Sequence, residues 1–215
     1  MRVEIKGVSK RFKDRVILED VNMVLEPNHI YGFIGPNGSG KTLLLKMICG
    51  FYIPTTGEIL INGENIIKKK EYPKDTGALI EKPSFLPDLT GYQNLQLLAS
   101  IQNKVTKNQI EEIMDIVGLS EFKNQKYNTY SLGTKQKLGI AQAIMEDQQL
   151  IILDEPFNGL DEASAKKIRA YLLKEKEKGK LIILSTHIKE DVKRLADTLY
   201  MFENGKVKNI KQKSK

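Results

Sequence analysis

No run in the 215 residues approaches the roughly 18–20 apolar positions that a bilayer-spanning helix needs. No signal-peptide pattern opens the chain, which starts Met1-Arg2-Val3-Glu4-Ile5. Cysteine is almost missing. Cys49 stands alone, so no internal disulfide can form, in keeping with a reducing compartment. Its apolar surroundings read as core packing. These absences lead to the expectation of a cytoplasmic protein, or one held peripherally on the inner face of the cell membrane by a partner. Arginine clusters are absent too, and no aromatics interleave the lysines, although the formal net charge is +7. Lys68-Lys69-Lys70, the stretch Lys174 to Lys180 and the tail Lys206 to Lys215 carry much of that charge. Their alternation with Glu, or their place at a tail, favours a solvated surface over a nucleic-acid or lipid face, so no nucleic acid is expected as a partner. No internal repeat is visible.

What is present is a glycine-rich loop, Gly35-Pro36-Asn37-Gly38-Ser39-Gly40-Lys41-Thr42, which fits G-x-x-x-x-G-K-[ST]. A short apolar run, Ile30 to Ile34, precedes it and reads as a buried strand; Leu43 to Cys49, rich in helix formers, follows. Glycines let successive N–H groups turn inward, the helix start adds unpaired N–H groups, and Lys41 adds a full charge. The Thr42 hydroxyl is left for Mg²⁺. Such a loop seats a polyphosphate. The bland alternative is a glycine-rich turn that only caps a helix.

Along the chain, Val3, Ile5 and Val8, then Val16, Leu18, Val21, Met23 and Leu25, alternate with polar residues as two half-buried strands, with a turn at Lys13-Asp14. Glu58 to Gly63 reads as a strand and turn, and Gly77 to Glu81 as a buried strand with an acid at its end. Between Leu89 and Asp147 the texture becomes helical: Ile110, Ile113, Met114 and Val117 follow helix spacing, as an inserted lobe would. Two apolar runs, Leu150 to Leu153 and Leu181 to Ser185, restore the sheet. They end in Asp154-Glu155-Pro156 and Thr186-His187. Apolar strands alternating with helices indicate a parallel α/β sheet, with functional groups at the carboxyl ends of its strands. Asp161 suits a helix N-cap and Glu203-Asn204-Gly205 a hairpin turn.

Several of these segments together resemble one family. Leu153 to Asp161 is similar to the Walker B and D-loop segments of ABC-type ATPases. Ser185-Thr186-His187 resembles their switch histidine, and Tyr130-Ser131-Leu132-Gly133-Thr134-Lys135-Gln136-Lys137 a variant of their L-S-G-G-Q signature. The resemblance covers nearly the whole chain. It implies a P-loop NTPase of ABC type spanning 1–215, with a mixed sheet core and an N-terminal antiparallel β subdomain. Residues 1–88 and 148–215 would form the ATP-binding core, and 89–147 the helical signature subdomain.

The resemblance also implies roles, with ATP and Mg²⁺ as ligands. Phe12 would stack on adenine, or else be a core residue near the first strand. Gly35, Pro36, Asn37, Gly38, Ser39, Gly40, Lys41 and Thr42 would hold the phosphates, with Thr42, Asp154 and Glu81 around the metal. Lys41, Glu155 as general base and His187 at the γ-phosphate would be catalytic. Ser131 and Gly133 would complete the site of a second copy, Ser131 also capping its helix, and Asp161 would lie between copies. Two departures stand out: Leu132 and Thr134 replace the usual Gly and Gln of the signature, and Glu81 stands where a Gln is usual. A Glu accepts hydrogen bonds but donates none, so its charge bears on hydrolysis; the bland alternative is a surface acid. The implied activity is an ATPase that powers a separate multi-span permease through ATP-driven pairing of two nucleotide domains. The signature and Glu81 are similar to those of bacterial exporter subunits linked to peptide-antibiotic resistance. The alternative is a soluble ABC-type ATPase acting on nucleic acid or ribosomes.

Overall fold

A computed structural model describes residues 1–69, 71–188 and 192–210. Lys70 and the last part of the basic tail, 211–215, lie outside that description. Where apolar and polar residues alternate, the chain forms an antiparallel sheet with one covered face. β1 (Val3–Phe12) and β2 (Arg15–Leu25) pair directly through the turn at Lys13, which takes φ 52°. β4 (Thr56–Ile61) and the short β5 (Glu64–Asn65) complete the order β2-β1-β4-β5. A single turn of helix, α2 (Ile66–Lys69), follows.

Where the apolar runs are continuous, both faces are covered. β3 (His29–Ile34), β6 (Thr76–Leu79), β7 (Leu150–Asp154) and β8 (Leu181–Thr186) run parallel in a second sheet, in the order β3-β8-β7-β6. β9 (Thr198–Glu203) lies parallel to β3. β10 (Lys206–Ile210) returns antiparallel to it through Asn204 and Gly205, both at positive φ as a tight primed turn requires. Every residue of β7 and β8 is buried.

Between β6 and β7 stand α3 (Gly91–Gln102), α4 (Lys107–Ile116) and α5 (Leu132–Ile144). Thr90 and Thr106 each build a reciprocal capping box with the Gln three residues on, which fixes where α3 and α4 begin. α5 lies directly on β6: a Cβ on Gly77 would meet the Ala143 carbonyl oxygen at 1.8 Å, so only glycine allows the approach. The lobe is thereby packed against the sheet, and Ile110, Met114, Leu138 and Ile140 share one apolar cluster with Ile151 and Leu153. Cys49 closes α1 (Lys41–Ile48) inside the other cluster, where burial pushes its thiol up to about 12. A thiol so placed packs and does not react.

Candidate functional site

The parallel pairing sets Asp154 beside Ser185 at the carboxyl ends of β7 and β8, and Ile34 beside Thr186 on β3 and β8. The loop that leaves β3 is therefore delivered to the same edge as the two carboxylates. Within it Gly35, Gly38 and Gly40 have φ values of 153°, 76° and 102°. A Cβ on Gly40 would sit 2.6 Å from Leu18, and one on Gly35 would sit 2.2 Å from the Phe202 carbonyl oxygen. The β subdomain and the β9 strand thus press on the loop from outside and leave room only for glycine.

Lys41, almost fully buried, donates to the carbonyl oxygens of Gly35 at 2.7 Å and Pro36 at 3.1 Å. Burial lowers its pKa, and the nearby charges of Glu155 and Asp154 work against that shift. Its ammonium is bent back on the loop and pairs with no carboxylate among the described residues, a charge available to an anion. The buried Ser39 hydroxyl has no hydrogen-bond partner among the described residues, a second unspent group in the same cradle.

Thr42 Oγ1 donates to Asp154 Oδ2 at 2.8 Å, and the other oxygen of Asp154 takes a bond from Ser185 Oγ. No group of three or more His, Cys, Asp or Glu able to hold a metal occurs among the described residues. A hydroxyl and a single carboxylate fit Mg²⁺, which takes one or two protein oxygens and fills its shell from phosphates and water. They do not fit a metal that needs a full protein cage.

Glu155 has φ 49°, uncommon for a non-glycine residue. Its backbone N–H donates to the Ser185 carbonyl at 2.9 Å, and its own carbonyl accepts from Gln136 Nε2 at 3.1 Å. The carboxylate is held on both oxygens, by Thr186 Oγ1 at 3.1 Å and His187 Nδ1 at 3.0 Å. A carboxylate gripped in this way is aimed rather than free. His187 is exposed and engaged with Glu155, so it is no core histidine.

A cleft of about 490 Å³ is lined by residues 37–42 of the loop, Glu81 and Glu155, with Phe12, Arg15, Ile17, Lys46 and Tyr52 on its walls. Phe12 is 45% exposed, which dismisses the core alternative. Its ring meets Tyr52 edge to face at 6.1 Å. Tyr52 and Lys46 were not singled out from the sequence. Tyr52 sits in a turn-rich link, while Lys46, on the helix that follows the loop, was within reach of a helix-face argument. Glu81 lies just past β6 at φ 63° and its carboxylate is bound by Lys46 at 2.6 Å. It is thus an exposed acid on the cleft wall, already paired.

Ser131, Gly133 and Asp161 do not line this cleft. Ser131 caps α5, its Oγ accepting from Thr134 N at 3.2 Å, and is otherwise exposed. A Cβ on Gly133 would come within 2.3 Å of the Gly159 carbonyl oxygen, so the α5 start and the segment after Glu155 lie backbone to backbone. Asp161 caps α6 (Glu162–Glu177), accepting from Ser164 N at 2.8 Å, and is bridged to Lys137 of α5 at 2.8 Å. The Lys137 contact first, and the Ser164 bonds next, hold its carboxyl well below the usual carboxylate range.

Asp161→Ala is expected to cost about 1 kcal/mol from the lost cap, read as a fall of about 2–4 °C in Tm. The sign with pH follows from the depressed folded-state pKa. The contribution is fully present above the unfolded carboxyl value of about 3.9 and fades as pH falls below it, so the melting gap between variant and parent closes in acid.

With this geometry in hand, the comparisons are direct. A family model described as ABC transporter matches residues 18–158. The uncharacterised ABC transporter ATP-binding protein YybJ of Bacillus subtilis (strain 168) is 38% identical over 205 residues, 95% of this chain and 94% of that protein. The bacitracin transport ATP-binding protein BcrA of Enterococcus faecalis is 37% identical over 206 residues, 94% of this chain and 67% of that protein. Among solved structures, the dimeric structure of MJ0796, a bacterial ABC transporter cassette, superposes with a TM-score of 0.88 over 99% of each chain at 24% identity, a likeness of fold. An ATPase acting on nucleic acid or ribosomes is not favoured by relatives of this kind. The phosphate loop, the carboxylates opposite it and the matched family agree: this chain belongs to the ABC transporter family, as an ABC-type ATPase of its ATP-binding subunits.

Proposed function

We propose that the chain hydrolyses ATP between two copies of itself, or between itself and a similar domain, and so powers export through a separate multi-span membrane subunit. The observation that carries this reading is the division of the chemistry. One surface holds the loop, Thr42, Asp154 and Glu155 together, while Ser131 and Gly133 stand outside that cleft at the start of α5, with Ser131 exposed.

In this reading Phe12 offers a ring to the adenine, a contact that any base face can make. Backbone N–H groups of residues 38–42 and the Lys41 ammonium take the β- and γ-phosphates. Thr42 and Asp154 would hold Mg²⁺, and Glu81, which lines the same cleft and is paired with Lys46, would be the further group to turn toward it. That ion, when bound, offsets phosphate charge as it builds at the leaving oxygens. Glu155 takes the proton of the attacking water, kept in line by Thr186 and His187, and His187 also faces the γ-phosphate. Ser131 and Gly133 of the second copy close over that phosphate, and Asp161 lies in the interface beside them. Pairing of two such domains is supported by the dimeric structure of MJ0796, whose fold this chain shares.

Export, and a peptide antibiotic as cargo, are supported by the relative named for bacitracin transport. A permease helix would dock near residues 81–89 and the helical lobe, placing the chain on the inner face of the membrane. No helix of the described residues is long and apolar enough to cross a membrane by itself. The test is copurification from membranes followed by reconstitution. A multi-span partner should come with the chain and raise its ATP turnover. Capture of RNA or ribosomes in place of a membrane protein would overturn the reading.

A further inference from the structure

Asp154, buried and bonded to Thr42 and Ser185, is not part of the lining of the cleft that takes the triphosphate, which among the described residues has two carboxylates, Glu81 and Glu155, and three cations, Arg15, Lys41 and Lys46. Its balance is therefore one positive charge. A carboxylate facing a polyphosphate is repelled unless a cation stands against it, and the effect is large where water is partly excluded. Glu155 is aimed by Thr186 and His187. Glu81 has a different partner. Its Oε1 lies 2.6 Å from Lys46 Nζ, and Lys46 sits on α1, the helix that grows out of the phosphate loop. The Lys46 ammonium also lies 5.8 Å from the Tyr52 ring, and Tyr52 in turn meets Phe12. The Lys46 side chain is largely enclosed, whereas that of Glu81 is mostly exposed. An ion pair this open adds little to stability. Its consequence is electrostatic and local.

We infer that Lys46 is a charge-balancing positioning residue for nucleotide binding: paired to Glu81 across the cleft, it cancels that acid's repulsion of the polyphosphate and keeps the carboxylate against α1. The inference deepens the proposed function and rests on the triphosphate entering this cleft.

The charge count makes opposite predictions for the two partners. Lys46→Met leaves the cleft balance at zero. Glu81→Gln raises it to two positive charges, and the double variant returns it to one. Affinities for ATP, ADP and AMP are to be measured by titration calorimetry on the full chain in EDTA, so that the nucleotide charge is unmasked. Lys46→Met is expected to weaken ATP about fivefold, ADP less and AMP hardly at all, since a unit charge acts on each added phosphate. Glu81→Gln should tighten ATP by a similar factor, and Lys46→Met with Glu81→Gln should bind near the parent value. A role in packing through Tyr52 would instead weaken all three nucleotides alike, without rescue, and that result overturns the inference. So does an unchanged ATP affinity in Glu81→Gln. If the folded parent chain binds no adenine nucleotide even with Mg²⁺ restored, the proposed function falls and the inference with it. If the parent binds and the charge order fails, the inference alone falls.

Discussion

Glu155→Gln is expected to lower ATP turnover by about 10²–10⁴-fold, the range a positioned general base supplies, while ATP affinity is kept or rises by up to about fivefold as a cleft carboxylate loses its charge. The amide has the shape of the carboxylate, so the φ of 49° and the backbone bonds to Ser185 and Gln136 should persist. It keeps an acceptor for the Thr186 hydroxyl, now 3.1 Å from the carboxylate. What it loses is the capacity to take a proton. Removing a carboxylate also lessens the repulsion between the cleft and the triphosphate. Binding is thus retained while the step that releases the paired domains is blocked. Phosphate release measures the first effect. Light scattering with and without ATP measures the second, and the variant should run as a dimer only with ATP. Normal turnover by a persistently monomeric variant would rule out the assignment of Glu155.

Gly133→Ala is the second large effect, and it separates binding from pairing. Gly133 lies in the first turn of α5, where alanine would be favoured by helix propensity alone. The tertiary contact reverses that preference. The added methyl would stand 2.3 Å from the Gly159 carbonyl oxygen, a backbone atom that cannot swing aside as a side chain end could. Either α5 or the segment 158–161 must shift by something near an ångström. A displacement of that size in a reacting constellation costs about 10²-fold, and hydrolysis is expected to fall to that extent. The cleft itself is lined by other residues, so ATP binding to the single chain should be unchanged. Loss of binding together with hydrolysis would place Gly133 in the structure of the monomer and not in a second copy's site. The Lys137 to Asp161 bridge, which ties the same two segments, gives a second handle on the junction.

The phosphate loop, the apolar strands and the carboxylates that end them were legible in the sequence because each is a local pattern. A glycine spacing or an unbroken apolar run needs no distant partner to be recognised. The same holds for the caps at Ser131 and Asp161, which depend on residues three positions on. Phe12 could be read either as core or as a base platform. Only the β subdomain, which places its ring beside Tyr52 and leaves it 45% exposed, removed the core reading.

The sequence by itself determined the element types, the strand ends that carry chemistry and the family, since these are written in periodicity and short motifs. The tertiary structure alone decided that Thr42 meets Asp154 across 112 positions, that Lys46 answers Glu81, and that Gly133 touches Gly159. The physical reason is that such contacts follow from which strands neighbour one another in the sheet and how closely α5 settles on it. Those are set by burial of the whole core, not by any segment's own preference.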